Sequence, residues 1–199
     1  MKPHTVSTGL ILQTPRLILR EMREDDFTAL CTMLRDPDVM YAYAHAFSED
    51  EARQWLDRQL RRYREDGFGL WAVTLRTAGG QSGGMIGQCG LTWQQCPPVS
   101  PDRVPEVGYL LCKSHWGRGY ATEAARACRD YAFTTLGAEE VFSIIRDNNA
   151  PSRAVARRNG MVVRAAFSRH YYGQDMPHLV FSITRSQWRR QRAAEGAAR

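Results

Sequence analysis

The sequence predicts one domain that mixes a β-sheet with α-helices. Three observations carry this reading. The chain has 199 residues, the length of a single domain with room for a sizeable core. Hydrophobic residues make up 43% and charged residues 24%, a balance unlike that of disordered or collagenous chains. Short β-rich segments are also interleaved along the whole chain with segments of helical period that carry cap signals.

Arg16-Leu17-Ile18-Leu19-Arg20 alternates and follows Pro15, so it reads as a strand. Glu24, Asp25 and Asp26 open a helix to about Arg35 that buries Phe27, Leu30, Cys31 and Leu34 and stops at Asp36-Pro37. Ser48 with Glu51 forms a capping box for a helix to about Glu65, with Trp55, Leu56, Leu60 and Tyr63 inward. Phe68–Leu75 and Met85–Trp93 read as strands around a glycine-rich loop over 78–84. Gly84, Gly87 and Gly90 lie within the strand pattern and mark a bulge. A proline-rich loop over 97–105 leads to a strand Glu106–Cys112, a helix from Gly117 to about Leu136 and a strand Glu140–Ile145. Ala121, Ala124, Ala125, Cys128 and Ala132 give that helix a small-residue face suited to close packing on a sheet. Ala150–Arg158 is a helix closed by Gly160, and Val162–His170 pairs with His178–Thr184 around Gly173. The Arg- and Ala-rich end, from Arg185 on, is expected to fray.

No apolar run approaches the roughly 20 residues of a membrane-spanning helix, and Met1–Gly9 lacks the apolar stretch of an export signal. The five cysteines form no C-x-x-C pair, so zinc and redox-motif readings fall and reduced thiols in a cytoplasmic protein are expected. The formal net charge is +6, with Lys2 and Lys113 the only lysines. Such a balance admits nucleic acid, an acidic membrane surface or a polyphosphate ligand. The excess is uneven: residues 51–64, 146–169 and 185–199 carry net charges of +3, +5 and +4, and the remainder is net acidic.

The chemistry-bearing segment runs from Val107-Gly108-Tyr109-Leu110-Leu111-Cys112 to Trp116-Gly117-Arg118-Gly119-Tyr120-Ala121-Thr122-Glu123-Ala124. It reads as strand, tight turn and helix. Gly117 and Gly119 remove side chains where the chain enters the helix, so the first-turn N–H groups can receive a phosphate. No Gly-Lys-Ser/Thr follows, which excludes a P-loop. A dinucleotide fingerprint wants a small residue where Thr122 stands, although Glu139 and Glu140 lie near the distance of its acid. Downstream, Asn149-Ala150-Pro151-Ser152 opens the next helix, with Asn149 at the N-cap, Pro151 in the first turn and the Ser152 hydroxyl open to a ligand. Taken singly, these residues also suit a plain turn, a plain cap and a solvated helix surface.

In order and spacing, these segments resemble the GNAT superfamily of acetyl-CoA-dependent N-acetyltransferases, in particular its RimJ/RimL type. The resemblance spans Thr14-Pro15-Arg16-Leu17-Ile18-Leu19-Arg20 to Ser182-Ile183-Thr184-Arg185-Ser186-Gln187-Trp188. The pyrophosphate motif falls on Trp116–Ala121, with Trp116 replacing the usual Gln or Arg. Asn-x-x-Ser falls on Asn149–Ser152, and Lys-x-Gly-Phe is degraded to Arg158-Asn159-Gly160-Met161. The resemblance implies an α+β fold in three layers (α/β/α), its mixed, mostly antiparallel sheet splayed between strands Glu106–Cys112 and Glu140–Ile145. It implies one acetyltransferase domain over residues 1–185 and a basic, flexible tail over 186–199. Acetyl-CoA is the implied cofactor. Backbone groups of Leu110, Leu111 and Cys112 would pair with its pantetheine arm and Asn149 would bond it. Trp116, Gly117, Arg118, Gly119, Tyr120, Ala121 and Thr122 would hold its diphosphate. Glu106 is the implied base, with His170, Asp175 and His178 as rivals. Ser152 is the implied proton donor to the departing thiolate, with Tyr171 or Tyr172 as substitutes, and the N–H of the Cys112 region faces the oxyanion. The implied partner is an amine-bearing acceptor, either a small molecule or a protein N-terminus. A membrane is not implied, nucleic acid is disfavoured and a homodimer is compatible. Two alternatives stay open: a non-catalytic CoA-binding module and, on charge alone, a nucleic-acid-binding protein. On the leading reading the 146–169 charge block serves a polyphosphate cofactor.

Overall fold

A computed structural model describes residues 10–197; the expectation about an export signal at Met1–Gly9 lies outside them. The strands are β1 (Leu10–Gln13), β2 (Leu17–Arg20), β3 (Leu70–Arg76), β4 (Ser82–Gln95), β5 (Arg103–Leu111), β6 (Glu140–Arg146), β7 (Val162–Tyr171) and β8 (Gln174–Thr184). The helices are α1 (Phe27–Leu34), α2 (Glu49–Glu65), α3 (Tyr120–Thr134), α4 (Ala150–Arg158) and α5 (Arg185–Ala197). The strands form one sheet in the order β1-β2-β3-β4-β5-β6-β8-β7. Every neighbouring pair is antiparallel except β5 and β6, which run parallel and share one register pair, Glu106 with Phe142.

The layers follow from the two-residue period of a strand. On β3, Leu70 and Ala72 face a core with Leu30, Leu34 and Leu56 of α1 and α2. Trp71 and Val73 face the opposite core with Ala124, Cys128, Ala132 and Phe133 of α3. The sheet is thus covered on both sides, as the α+β three-layer reading expects. The capping box of α2 forms in full: the Glu51 N–H donates to Ser48 Oγ at 3.2 Å, and the Ser48 N–H donates to Glu51 Oε2 at 2.8 Å. Where β2 passes into α1, Arg20 donates two bonds of 2.7 Å to the Asp26 carboxylate. Burial pushes the Asp26 acid up, but the guanidinium and the Arg23 N–H outweigh it and hold its pKa below the ordinary carboxylate value.

Beyond β1, which was not expected, and β8, which begins at Gln174 and not at His178, the observed elements depart from expectation in three places. The glycine-rich loop over 78–84 shrinks to a turn because β4 begins at Ser82. Strand β5 begins at Arg103 and runs through Pro105. The β4 ladder bonds the even-numbered residues of β5, so the missing N–H of Pro105 interrupts no bond to β4. The third departure is a correction: the 186–199 tail, expected to be flexible, continues from Thr184 as helix α5 to Ala197. Trp188 is 7% exposed, and its ring stacks on Phe133 with centroids 4.9 Å apart. Its Nε1–H donates to Asp130 Oδ1 at 2.7 Å. Arg129, 1% exposed, donates to the Asn159 carbonyl at 2.6 Å and to Gln191 Oε1 at 3.2 Å. Ala and Arg favour a helix once such docking supplies tertiary support. Among the described residues no helix is long and apolar enough to cross a membrane.

Trp188→Ala should cost about 3 kcal/mol of stability, read as a fall in Tm of about 6 to 12 °C. A fall below about 1 °C would show that α5 is not docked.

Candidate active site

Strands β5 and β6 part beyond Glu106 and Phe142, and three side chains bridge the opening. Ser143 Oγ donates to the Val107 carbonyl at 2.9 Å. The Ile144 N–H donates to Glu106 Oε1 at 2.9 Å. The Tyr109 hydroxyl donates to the Ser152 carbonyl, on α4, at 2.8 Å. The phase of the β4–β5 ladder decides which backbone groups face the opening. The Cys112 N–H donates to the Ile86 carbonyl at 2.9 Å. In an antiparallel ladder the bonding direction alternates, so Gly108, Leu110 and Cys112 turn to β4, and Val107, Tyr109 and Leu111 turn to the opening. This corrects the assignment of Leu110 and Cys112 as backbone partners of a ligand arm; within the Cys112 region, expected to supply the oxyanion donor, it leaves the Leu111 N–H facing the opening. Leu111 faces the right way, although its carbonyl already accepts Trp116 Nε1–H at 2.8 Å.

The N-terminus of α3 forms a backbone cradle. Gly117 and Gly119 have φ of 73° and 79°, the left-handed region that favours glycine. A Cβ added at Gly117 would meet nothing within 4 Å. The first intrahelical bond at this end is the Glu123 N–H to the Gly119 carbonyl, so the amides of Tyr120, Ala121 and Thr122 point outward. Glu123 places an acid in this first turn, where it would repel an anion. Arg16 lies against it: its backbone N–H donates at 3.0 Å and its Nε–H at 2.6 Å to the Glu123 carboxylate. Arg16 Nη1 also donates to the Arg118 carbonyl at 3.0 Å, and the guanidinium lies over the Tyr120 ring. Sequence reasoning read Arg16 only as part of a strand. Its partners lie more than 100 residues away, and no local pattern signals them.

Asn149 caps α4, its Oδ1 accepting from the Ser152 N–H at 3.1 Å. The same oxygen accepts from the Tyr41 hydroxyl at 2.8 Å, so only the amide NH₂ of Asn149 is left for a ligand. Tyr41 is a second residue that sequence reasoning missed.

A cavity of about 450 Å³ opens beside the splay. Glu106, Tyr109 and Ser152 line it on one side. Tyr43, Phe47, Trp55 and Tyr172 form an aromatic wall, and Arg58, Arg62, Arg146 and Arg169 lie around it. The cradle glycines are not part of the lining. Burial pushes the Glu106 carboxyl up to about 7, against the opposing pull of the Ile144 N–H and of the Arg169 and Arg62 charges. Burial also pushes the Tyr109 hydroxyl far up, so it stays protonated. Of the rival bases, His178 lines the cavity; its Nδ1–H donates to the Met176 carbonyl at 2.7 Å. Burial, together with Arg169 and Arg146, lowers its pKa. His170 and Asp175 pair with each other on the exposed hairpin, with side chains 67% and 76% exposed, away from the lining. Tyr171 and Tyr172 do line the cavity, but the Tyr171 hydroxyl accepts from Arg169 at 3.1 Å. The site thus offers a carboxyl poised to exchange a proton near neutrality, the protonated Tyr109 hydroxyl and the Ser152 side chain in the same lining, and an anion cradle on an adjacent helix.

The sequence matches the family described as acetyltransferase (GNAT) domain over residues 16–162. It is 32% identical to the FsC-acetyl coenzyme A-N(2)-transacetylase of Aspergillus fumigatus, covering 94% of this chain and 81% of that protein. The fold is similar to the crystal structure of an acetyltransferase from Agrobacterium tumefaciens, with a TM-score of 0.72, 28% identity, and coverage of 93% of this chain and 99% of that one. It also resembles the fold of RimL, the ribosomal L7/L12 α-N-protein acetyltransferase solved with coenzyme A, at a TM-score of 0.68 and 17% identity over 88% of this chain and 97% of that one.

A carboxyl-detected NMR titration should find Glu106 with a midpoint near 7. Arg169→Gln should move that midpoint up, because the lost guanidinium charge favoured the carboxylate. A midpoint in the ordinary range near 4 would remove the basis for a poised carboxyl.

Proposed function

The chain belongs to the GNAT acetyltransferase family and is an N-acetyltransferase that uses acetyl-CoA; from that premise we propose that it transfers the acetyl group to a primary amine by direct attack, with donor and acceptor held in one complex. The observation that carries this reading is the position of Glu106, at the point where β5 and β6 part and inside the cavity that Ser152 also lines. A module that only bound the cofactor would have no use for a carboxyl held near neutrality there. The relative's N(2)-transacetylase name also supports an amine nitrogen as acceptor.

The residues present fit acetyl-CoA. The left-handed glycines leave the α3 amides open to a diphosphate, and Arg16 removes the repulsion of Glu123 beside them. Backbone groups of Tyr109 and Leu111 face the splay, where an extended arm can pair as an added strand. When bound, the cofactor supplies a thioester carbonyl open to attack by an amine.

The acceptor amine arrives largely as ammonium, since amine pKa values run from about 8 to about 10. Glu106 takes its proton directly or through water. A β5 amide facing the splay, at Tyr109 or Leu111, would donate to the carbonyl oxygen of the bound thioester. Ser152 would pass a proton to the sulfur, whose thiol pKa lies near 8.5 by analogy with cysteine, and would be reprotonated by the second proton that the nitrogen sheds as the amide forms. The Tyr109 hydroxyl, bonded to the Ser152 carbonyl, fixes the start of α4 against β5 and so places the serine.

Glu106→Gln should lower kcat by about 10²- to 10³-fold. In the wild type, kcat/KM should rise with pH through about 7, because only the deprotonated carboxylate accepts a proton. The variant should lose that limb and keep the one set by the acceptor amine. Retention of more than half the wild-type kcat would exclude Glu106 as the base. Gly119→Glu should weaken coenzyme A binding by more than about 100-fold through strain and repulsion, with the circular-dichroism spectrum kept. Gly119→Asn, which tolerates left-handed backbone, should bind more tightly than Gly119→Glu. Normal binding by Gly119→Glu would mean that the diphosphate site lies elsewhere.

A further inference from the structure

We propose that the acceptor is a small amine that also carries an anionic group, a carboxylate or a phosphate ester, received by Arg58, Arg62, Arg146 and Arg169. The proposal rests on the reading of the cavity as the acceptor site of an N-acetyltransferase. The four guanidiniums come from three elements, α2, β6 and β7, that are distant in sequence, yet all line one cavity.

Their convergence on one lining sets them apart: among the described residues Arg61, Arg118, Arg157 and Arg190 also form no ion pair with an acid, but they do not line this cavity. Arg16, Arg20, Arg35, Arg53, Arg129, Arg164 and Arg185 each pair with an Asp or Glu. Among the described residues none of the four cavity arginines has such a partner. Their contacts go to neutral groups instead. Arg62 donates to Gln59 Oε1 at 3.2 Å, and Arg146 donates to the Tyr43 carbonyl at 3.3 Å. Arg169 donates to the Tyr171 hydroxyl and to the Gln95 carbonyl, each at 3.1 Å. Arg58 lies over the Trp55 ring at 5.4 Å. The buried Nε of Arg146 has no partner at all. The acid within the lining is Glu106, whose burial favours its neutral form. The pKa of Arg62 is lowered first by burial and then by the charge of its α2 neighbour Arg58, against the opposing pull of Asp66 and Glu106.

The acetyl-thioester end of the donor carries no charge, so it needs no guanidinium. An acceptor with only an ammonium group would be repelled by this wall, and a polyamine or aminoglycoside more strongly so. An anionic group on the acceptor turns the repulsion into attraction and gives the buried Nε of Arg146 and the half-buried guanidiniums of Arg62 and Arg169 a charged partner. A cavity of about 450 Å³ lies toward the small end of small-molecule sites, and its aromatic wall suits a short apolar body between the two polar groups.

The test uses purified wild-type protein, acetyl-CoA and a thiol-release assay on matched amines. Aminocarboxylic acids of increasing length are compared with their primary amides, and aminoalkyl phosphates with the parent aminoalcohols. The charged member should show kcat/KM about 10- to 100-fold above its neutral partner, and the series with the larger ratio identifies the anion. Arg62→Gln and Arg169→Gln should each bring that ratio toward one. Ratios near one in the wild type, or variants that depress both members of a pair equally, would overturn the proposal. Absence of thiol release with every amine, while coenzyme A still binds, would strike the acetyltransfer reading itself. Calorimetric titration of the coenzyme A-loaded protein with the same pairs separates the two: tenfold tighter binding of the acids supports the charge selectivity without turnover, and equal binding of acid and amide overturns it.

Discussion

The parting of β5 and β6 is the constraint on which the rest of the molecule depends. All eight strands are joined through antiparallel ladders into two blocks, β1 to β5 and β6 with β7 and β8. The blocks meet at one parallel register pair. A sheet that stayed paired would leave no backbone group for a ligand and no depth for a cavity. Because the strands diverge, the odd-numbered residues of β5 keep groups facing the opening, and the starts of α3 and α4 come to lie around it. Ser143, Glu106 and Tyr109 bridge the gap with side chains where main-chain bonds are missing. Glu106 is thereby tied to the edge of β6 and withdrawn from water, which lifts its pKa toward neutrality.

The positive charge is divided among several parts of the fold. The 146–169 block was expected to serve a polyphosphate cofactor. Its two ends, Arg146 and Arg169, line the cavity beside the splay, where Arg58 and Arg62 from the 51–64 block join them. In the third block Arg185 closes onto the Glu139 carboxylate and the Phe133 and Ala138 carbonyls, and Arg192 lies over the Trp188 ring. Near the cradle, Arg16 acts from outside all three blocks, on Glu123 and the Arg118 carbonyl. Charge that looked like a property of chain segments is thus divided among cavity, cradle and helix docking.

Much of the site was legible because the groups that matter there are close in sequence. Gly117 and Gly119 sit within one turn and reveal a left-handed entry to a helix. Asn149, Pro151 and Ser152 sit within one helical turn and reveal a cap with a free hydroxyl. Glu106 was picked out as the first residue of the strand read over Glu106–Cys112, although β5 begins three residues earlier, at Arg103. Arg16, Tyr41 and Tyr109 were not assigned roles, because each acts on a partner 43 to 108 residues away. The choice among His170, Asp175 and His178 was equally out of reach: all three lie on one hairpin, and the register of β7 and β8 with the neighbouring strands decides which side chain meets the cavity.

The sequence by itself determined strands β2 to β8 and helices α1 to α4 to within a few residues, the caps of α2 and α4, the anion-ready turn before α3 and the family to which these belong. All of these rest on interactions between residues a few positions apart, where chain geometry leaves little choice. Tertiary structure alone decided the phase of β5, which took Leu110 and Cys112 away from the splay and put Tyr109 in their place. It alone turned the basic tail into a docked helix through Trp188, and brought four unpaired arginines around a carboxyl raised by burial. Each of these depends on register and packing between distant segments, and shifting a strand by one residue would reverse which of its side chains and backbone groups meet the site.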